Sequence, residues 1–309
     1  MERIVIPGKA TYTPVALTDV MVGAPMAARV LLGATAPGQV VAAASFGYYT
    51  GSAARDWWAR REVRPIDFQD AFGADVFTLR EMPADQRHWE VQLLGRALNE
   101  GFVADRPPRE EVARRVDQHL TDYIAAITGQ QLVTSTAIRS HTIASFLMPG
   151  AIGACDAISG DVAIFKDVGL LEPHVIAHEF CHRKGYMKEL HAQVLSYLAL
   201  RTSADPILVQ AARLERLHRQ LKVIRQTESN QCASDLIGRA QLRPELSKLL
   251  RALIADVPDK QTFMSRLYDK RMRLSGQNGL SDYGAGFTNL LCMLATDASR
   301  PERAAHAAI

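Results

Sequence analysis

The chain has little cysteine: four residues in 309, at 155, 181, 232 and 292, with no C-x-x-C pair among them. That spacing speaks against a paired-cysteine zinc site and reads as reduced, mostly buried thiols in a reducing compartment. Net charge is also small, at +3, and no basic stripe with interleaved aromatics occurs, so nucleic acid is not an expected partner. The opening Met1-Glu2-Arg3-Ile4-Val5 lacks a basic region followed by an apolar core and a cleavage site, so no signal peptide is evident. Between Arg29 and Arg55 there is no charge at all. A span of that length can cross a bilayer. It is nevertheless rich in Gly, Ala and Ser, and Pro37-Gly38 falls near its start. Asp19 and Arg29 interrupt residues 14–32. Trp57-Trp58 would form an interfacial belt and Arg60-Arg61 a positive flank, diluted by Asp56 and Glu62. Residues 14–54 therefore have two readings: a membrane-associated hairpin, or a pair of buried small-residue helices packed on the domain that follows. The corresponding location is membrane-associated or cytoplasmic.

Hydrophobic content of 48% and charged content of 22% are ordinary for a folded globular protein, with room for one large domain or two modest ones. The most informative stretch is His178-Glu179-Phe180-Cys181-His182, which reads H-E-x-x-H. On an α-helix, residues four apart lie about 40° apart around the axis and roughly 6 Å along it. Both imidazoles can therefore reach one Zn²⁺. Glu179 lies about 100° further round from His178, which suits a general base beside the metal better than a ligand. Cys181 falls on the flank opposite Glu179 and reads as core. Upstream, Leu171-Glu172-Pro173-His174 opens the helix, with proline and an acid in the first turn. Downstream, Arg183-Lys184-Gly185 closes it, with cations over the C-terminus and a glycine to turn the chain. Gly160–Phe165 reads as a strand before the helix, an edge of the kind that holds extended peptides by main-chain hydrogen bonds.

A catalytic zinc site takes three protein ligands and keeps one position open. A second helix beginning at Lys188 offers Glu189 and His191. Two residues apart, they face roughly opposite ways, so only one can meet the metal. Glu189 begins E-x-x-A-Q, which resembles the E-x-x-A-[DN] helix of zinc peptidases that use a glutamate ligand. It is preferred, with His191 as the alternative. With Glu189 inward, Gln193 and Ser196 share its face as donors behind the ligands. His174, one turn before His178, reads as a surface or supporting histidine rather than a fourth ligand. Asp156 and Asp161 are candidates to hold the far nitrogen of a ligand histidine.

The order His178-Glu179-x-x-His182-x-x-Gly185, Glu189-x-x-Ala192, then Tyr197-Leu198 resembles a bacterial family known only as a domain of unknown function. Its members resemble zinc metallopeptidases and usually carry N-terminal transmembrane helices. Ala151-Ile152-Gly153 and Ser159–Ala163 fall where that family has a glycine and then a strand. Tyr268-Asp269 and Gly276-Gln277-x-Gly279-x-x-x-Tyr283-Gly284 resemble its C-terminal tyrosine–glycine motif. The likeness covers roughly residues 135–295. It departs at His191, where the family has a second acid, at Gln193, where it has asparagine, and at Asp161, where it has glutamate. The resemblance implies a zinc-peptidase-like fold.

Elsewhere, Arg109–Gly129 is an amphipathic helix, residues 131–148 read as strand-rich, and 206–226, 244–256, 261–274 and 284–296 read as helices. The expected fold is α+β and predominantly helical, of the zincin-like metallopeptidase kind. A small sheet lies beside the active-site helix and a helical subdomain follows. Residues 1–105 form an N-terminal helical region, 106–298 the metallopeptidase domain and 299–309 a flexible tail. The expected activity is zinc-dependent hydrolysis of a peptide or protein. His178, His182 and Glu189 hold Zn²⁺, and Glu179 takes a proton from zinc-bound water. Tyr283 either stabilises an oxyanion or packs at a glycine-flanked turn. A catalytically silent scaffold of the same fold and a non-hydrolytic iron enzyme are the alternatives. An intact Glu179 favours hydrolysis over both.

Overall fold

Apolar residues at helical spacing dominate the chain, and the fold is α+β with helices far outnumbering strands. The computed structural model describes residues 1–6, 15–74, 76–147, 151–255 and 263–296. The tail expected at 299–309 lies outside them. Two compact units are each assembled from three stretches. One takes residues 1–65, 107–167 and 175–187. The other takes the described residues of 66–106, 168–174 and those from Lys188 onward.

In the first unit, β1 (Glu2–Val5) starts the chain, and α1 (Leu17–Leu32) and α2 (Ala36–Arg60) pack on each other as a hairpin. α5 (Arg109–Thr128) buries Val112, Val116, Leu120 and Ile124 along one stripe, each such side chain contributing about 1.5–3 kcal/mol. Gly129, at φ 72°, takes the left-handed conformation that ends the helix. β2 (Gln130–Val133) then pairs parallel with β1, Ile4 opposite Leu132. Beyond Val133 the described residues of the expected strand-rich stretch form no further strand: Ser140 makes only an isolated parallel bridge to Val15, and Asp19 accepts hydrogen bonds from the backbone N–H groups of Thr142 (2.6 Å) and Ile143 (3.4 Å). Those are donors a helix start leaves over, and α6 (Thr142–Leu147) begins at them. β3 (Gly153–Cys155) and β4 (Val162–Ile164) form an antiparallel pair. β4 was expected to offer an exposed edge. Instead Val162 and Ala163 are buried, and the Val162 carbonyl accepts from the Arg139 N–H at 2.6 Å.

The hairpin of α1 and α2 corrects a second expectation. No helix among the described residues is long and apolar enough to cross a membrane. Nor is the pair buried. α1 buries only Leu17 and Ala28, and α2 buries Gly38, Tyr49, Ser52, Ala53 and Asp56. Met26, Val30, Leu31, Val40, Phe46, Trp57 and Trp58 are exposed. Close approach is required at Gly38, where a Cβ would lie 3.0 Å from the Gly33 carbonyl oxygen, whereas a Cβ at Gly47 or Gly51 would meet nothing within 4 Å.

The second unit is built around α9 (Pro206–Thr227). It starts with Asp205 accepting from the Ile207 N–H at 2.9 Å and buries residues on every side. Around it lie α4 (Ala84–Glu100), α8 (Glu189–Arg201), α10 (Asn230–Arg239), α11 (Pro244–Ala255) and α13 (Ala285–Thr296). The unit also holds α3 (Phe68–Phe72), α12 (Phe263–Leu274) and two 3-10 helices, Gly169–Leu171 and Gly279–Tyr283. α8 is buried from Leu190 to Leu200 apart from His191. α7 (Glu172–Arg183) has its first three residues in this unit and carries the two-histidine motif on residues that belong to the first unit.

Candidate metal centre

The end of α7 sets the geometry of the site. Gly185 adopts φ 106°, a conformation that side chains disfavour. Its N–H bonds the His182 carbonyl at 2.9 Å, and the Tyr186 N–H bonds the Cys181 carbonyl at 3.0 Å. These two bonds are the Schellman closure of a helix. The reversal brings the Tyr186 carbonyl back to His182, whose Nδ1–H donates to it at 2.9 Å. That bond fixes the tautomer and puts the ring's acceptor lone pair on Nε2. The Nε2 atoms of His178 and His182 lie 3.2 Å apart. Two nitrogens about 2.0–2.1 Å from one tetrahedral Zn²⁺ lie roughly 3.3 Å apart, so the pair matches the spacing of two zinc donors.

His178, His182 and Glu189 form a buried group whose potential ligand atoms all lie within 4.8 Å of one another. The donor set, two imidazoles and a carboxylate, is one a catalytic zinc accepts. The alternative ligand is elsewhere: the His191 ring packs on Phe68, centroids 4.3 Å apart, and burial with the charge of Lys188 pushes its pKa down to about 4. Glu189 opens α8, where Lys188 supplies no side-chain cap. The Gln277 side-chain oxygen accepts from the Glu189 N–H at 2.8 Å instead, satisfying one of the donors a helix start leaves over. The Glu189 carboxylate accepts from the Tyr268 hydroxyl at 2.5 Å, and the Tyr268 and Tyr283 oxygens are 3.2 Å apart. Burial and then the charge of Glu189 hold the Tyr283 phenol well above its ordinary pKa, so it keeps its proton.

Glu179 is 7% exposed, and a Cβ at Gly153 would meet its Oε1 at 3.2 Å. Glycine at 153 is what lets the carboxylate lie so close to β3. Cys181 is fully buried, as its place on the helix predicts.

Other expectations are corrected. Of the two readings of His174, surface or supporting, the surface one falls: the ring is buried, with its Nε2 3.1 Å from Ser196 Oγ. Gln193 donates to Glu215, which also pairs with Arg219 at 2.5 Å. Gln193 and Ser196 thus join a buried polar network with His174 and Glu215 that sequence reading did not include. Asp161 accepts from the Leu17 N–H at 2.7 Å and so starts α1. Asp156 takes the Ser159 hydroxyl at 2.7 Å and the Tyr49 hydroxyl at 3.3 Å. Neither supplies the histidine partner, a role the Tyr186 carbonyl fills for His182. Arg183 and Lys184 do not sit over the helix end in solvent. Arg183 donates to the carbonyls of Gly160, Ser135 and Ala137. Lys184, fully buried, is 2.7 Å from Asp117 and donates to Thr121 at 2.8 Å and the Leu132 carbonyl at 3.0 Å.

Tyr268 and Gln277 were not singled out as site residues. The only signal for them was their place in the C-terminal tyrosine–glycine pattern. Comparison with curated proteins and with solved structures gave no match. Residues 167–292, which carry α7, Glu189, Tyr268 and Tyr283, match the model of a family described as protein of unknown function (DUF3810).

Proposed function

We propose that the protein is a zinc-dependent hydrolase of the metallopeptidase class, with zinc held by His178, His182 and Glu189. The observation that carries this reading is the 3.2 Å separation of the two histidine Nε2 atoms, with Glu189 completing the buried group. A zinc ion in such a site acts as a Lewis acid toward a carbonyl and lowers the pKa of water toward neutrality. The chain's own residues do the rest. Tyr186 and Tyr268 orient His182 and Glu189 by hydrogen bonds. Glu179 accepts the proton of the attacking water and returns it to the departing amine. Tyr283, with its phenol proton retained, is the donor for negative charge developing on the carbonyl oxygen. The zincin-like fold belongs to the same proposal.

The test is metal analysis together with cleavage of a quenched peptide library. Purified protein should hold close to one tightly bound zinc attributable to this group, and chelation should abolish cleavage. His178→Ala and His182→Ala should each lose that zinc. Full retention of it in both variants overturns the assignment. Zinc retained with no cleavage of any peptide moves the reading to a silent scaffold.

A further inference from the structure

A second cluster of metal-binding side chains lies in the second unit. His88 stands on the first turns of α4. Glu228 ends α9, its N–H bonded to the Ile224 carbonyl at 2.8 Å. Ser229 then caps α10 by accepting from the Cys232 N–H at 3.0 Å. That tight corner sets Glu228 and Cys232 side by side, and α4 brings His88 to them from 140 residues away.

The three side chains converge on one point. His88 Nε2 lies 2.8 and 3.0 Å from the two Glu228 carboxylate oxygens. Cys232 Sγ lies 3.1 Å from Glu228 Oε2 and 4.0 Å from His88 Nε2. Donors of one tetrahedral zinc lie roughly 3.3–3.6 Å apart, from its bond lengths to nitrogen, oxygen and sulfur. The observed separations bracket that range. Replacing the thiol proton by a metal ion therefore needs only small side-chain shifts. The arrangement argues against a nucleophilic cysteine: the carboxylate stands between thiol and imidazole, whereas a base-activated thiol needs the imidazole beside it. The His88 and Glu228 side chains are 32% and 29% exposed, so an ion can enter from solvent and keep a water. A thiolate and an imidazole select zinc-like ions over magnesium or calcium.

We propose that His88, Glu228 and Cys232 form a second, solvent-accessible site for a zinc-class divalent ion, which clips α4 to the corner between α9 and α10. This site is independent of the histidine pair on α7.

Cobalt titration of the full metal-free chain tests it, because sulfur-to-cobalt charge transfer absorbs in the near ultraviolet and the buried group on α7 and α8 offers no sulfur. The wild type should show that band. Cys232→Ser should abolish it, and His88→Ala should weaken cobalt binding at this site by more than the roughly 10–100-fold that losing an outer partner costs. His178→Ala should leave the band intact, which separates failure here from failure of the proposed hydrolase centre. No band at saturating cobalt overturns the proposal, as does a band that survives in Cys232→Ser. A cobalt affinity unchanged in His88→Ala overturns the ligand set.

Discussion

Helices α7 and α8 bury His174, His178, Glu179, His182, Glu189, Gln193 and Ser196, whereas α1 and α2 expose Met26, Val30, Leu31, Val40, Phe46, Trp57 and Trp58. Each pair inverts the usual distribution, in opposite directions. The two inversions differ in cost. Burying a polar group without a partner costs roughly 1–3 kcal/mol by mutational measures, so those in α7 and α8 persist only with hydrogen bonds: His182 with Tyr186, Glu189 with Tyr268, Ser196 with His174. An exposed apolar side chain breaks no such bond, and scattered ones are ordinary. The polar interior is therefore a specified arrangement, whereas the apolar exterior places few demands on neighbouring residues. Substitutions should separate the two regions sharply.

The largest effect is expected at Glu179. Glu179→Gln keeps the size of the side chain but cannot accept a proton. General acid–base assistance contributes roughly 10²–10⁴-fold. Peptide turnover should fall by at least that range while zinc content and thermal unfolding stay near wild type. Cleavage at a wild-type rate would remove Glu179 from its role and reduce α7 to a structural helix.

Next comes the anchor behind the site. Lys184 is fully buried against Asp117, whose side chain is 16% exposed. Asp117→Ala leaves the cation inside without its counter-ion. Breaking a buried pair in this way costs about 3–5 kcal/mol. Lys184→Met removes the charge itself and should cost less. Denaturant midpoints of the two variants give the order. If Asp117→Ala is the milder change, the lysine is held by Thr121 and the Leu132 carbonyl rather than by charge.

The third expectation concerns zinc affinity. Glu189→Ala should weaken zinc by at least about tenfold more than His191→Ala, because an outer partner alone is worth roughly 10–100-fold and Glu189 stands among the donors themselves. Chelator competition on both variants measures the difference. A larger loss in His191→Ala would make the site three-histidine and require α8 to turn.

These residues also mark how far the sequence could be read. The histidine pair, Glu179 and the glycine turn lie within one helix and its closure, where spacing alone fixes geometry. For Glu189, helix geometry said only that it or His191 could face the metal, and the choice between them came from the likeness of E-x-x-A-Q to the glutamate-ligand helix of zinc peptidases. The groups that hold these residues were hidden because they come from far along the chain: Tyr268 stands 79 residues from Glu189 and Gln277 stands 88. Of the strand-rich reading of 131–148, residues 131–133 hold as part of β2, and residues 134–147 depart from it for a related reason. Strand propensity there is genuine, but a strand needs a partner, and Asp19 offers the backbone a helix start instead. Burial of α1 and α2 was misjudged because small residues need not be covered: Gly38 lies against Gly33, but Gly47 and Gly51 have nothing within 4 Å of where a Cβ would be.

The smallest effect is expected on the hairpin. Phe46 is 61% exposed and Val40 66%, so Phe46→Ser and Val40→Ser remove few contacts within the chain. Substitutions at such positions usually stay within about ±0.5 kcal/mol. Gly38→Ala is the internal control, because its Cβ would meet the Gly33 carbonyl oxygen at 3.0 Å. The hairpin can accept it only by opening slightly. Denaturant unfolding of the three variants should therefore rank Gly38→Ala as the most destabilising, with both serine variants near wild type. A serine variant costing more than Gly38→Ala would mean that the exposed apolar face is covered in solution, and the contrast with α7 and α8 would then narrow to a difference in what does the covering.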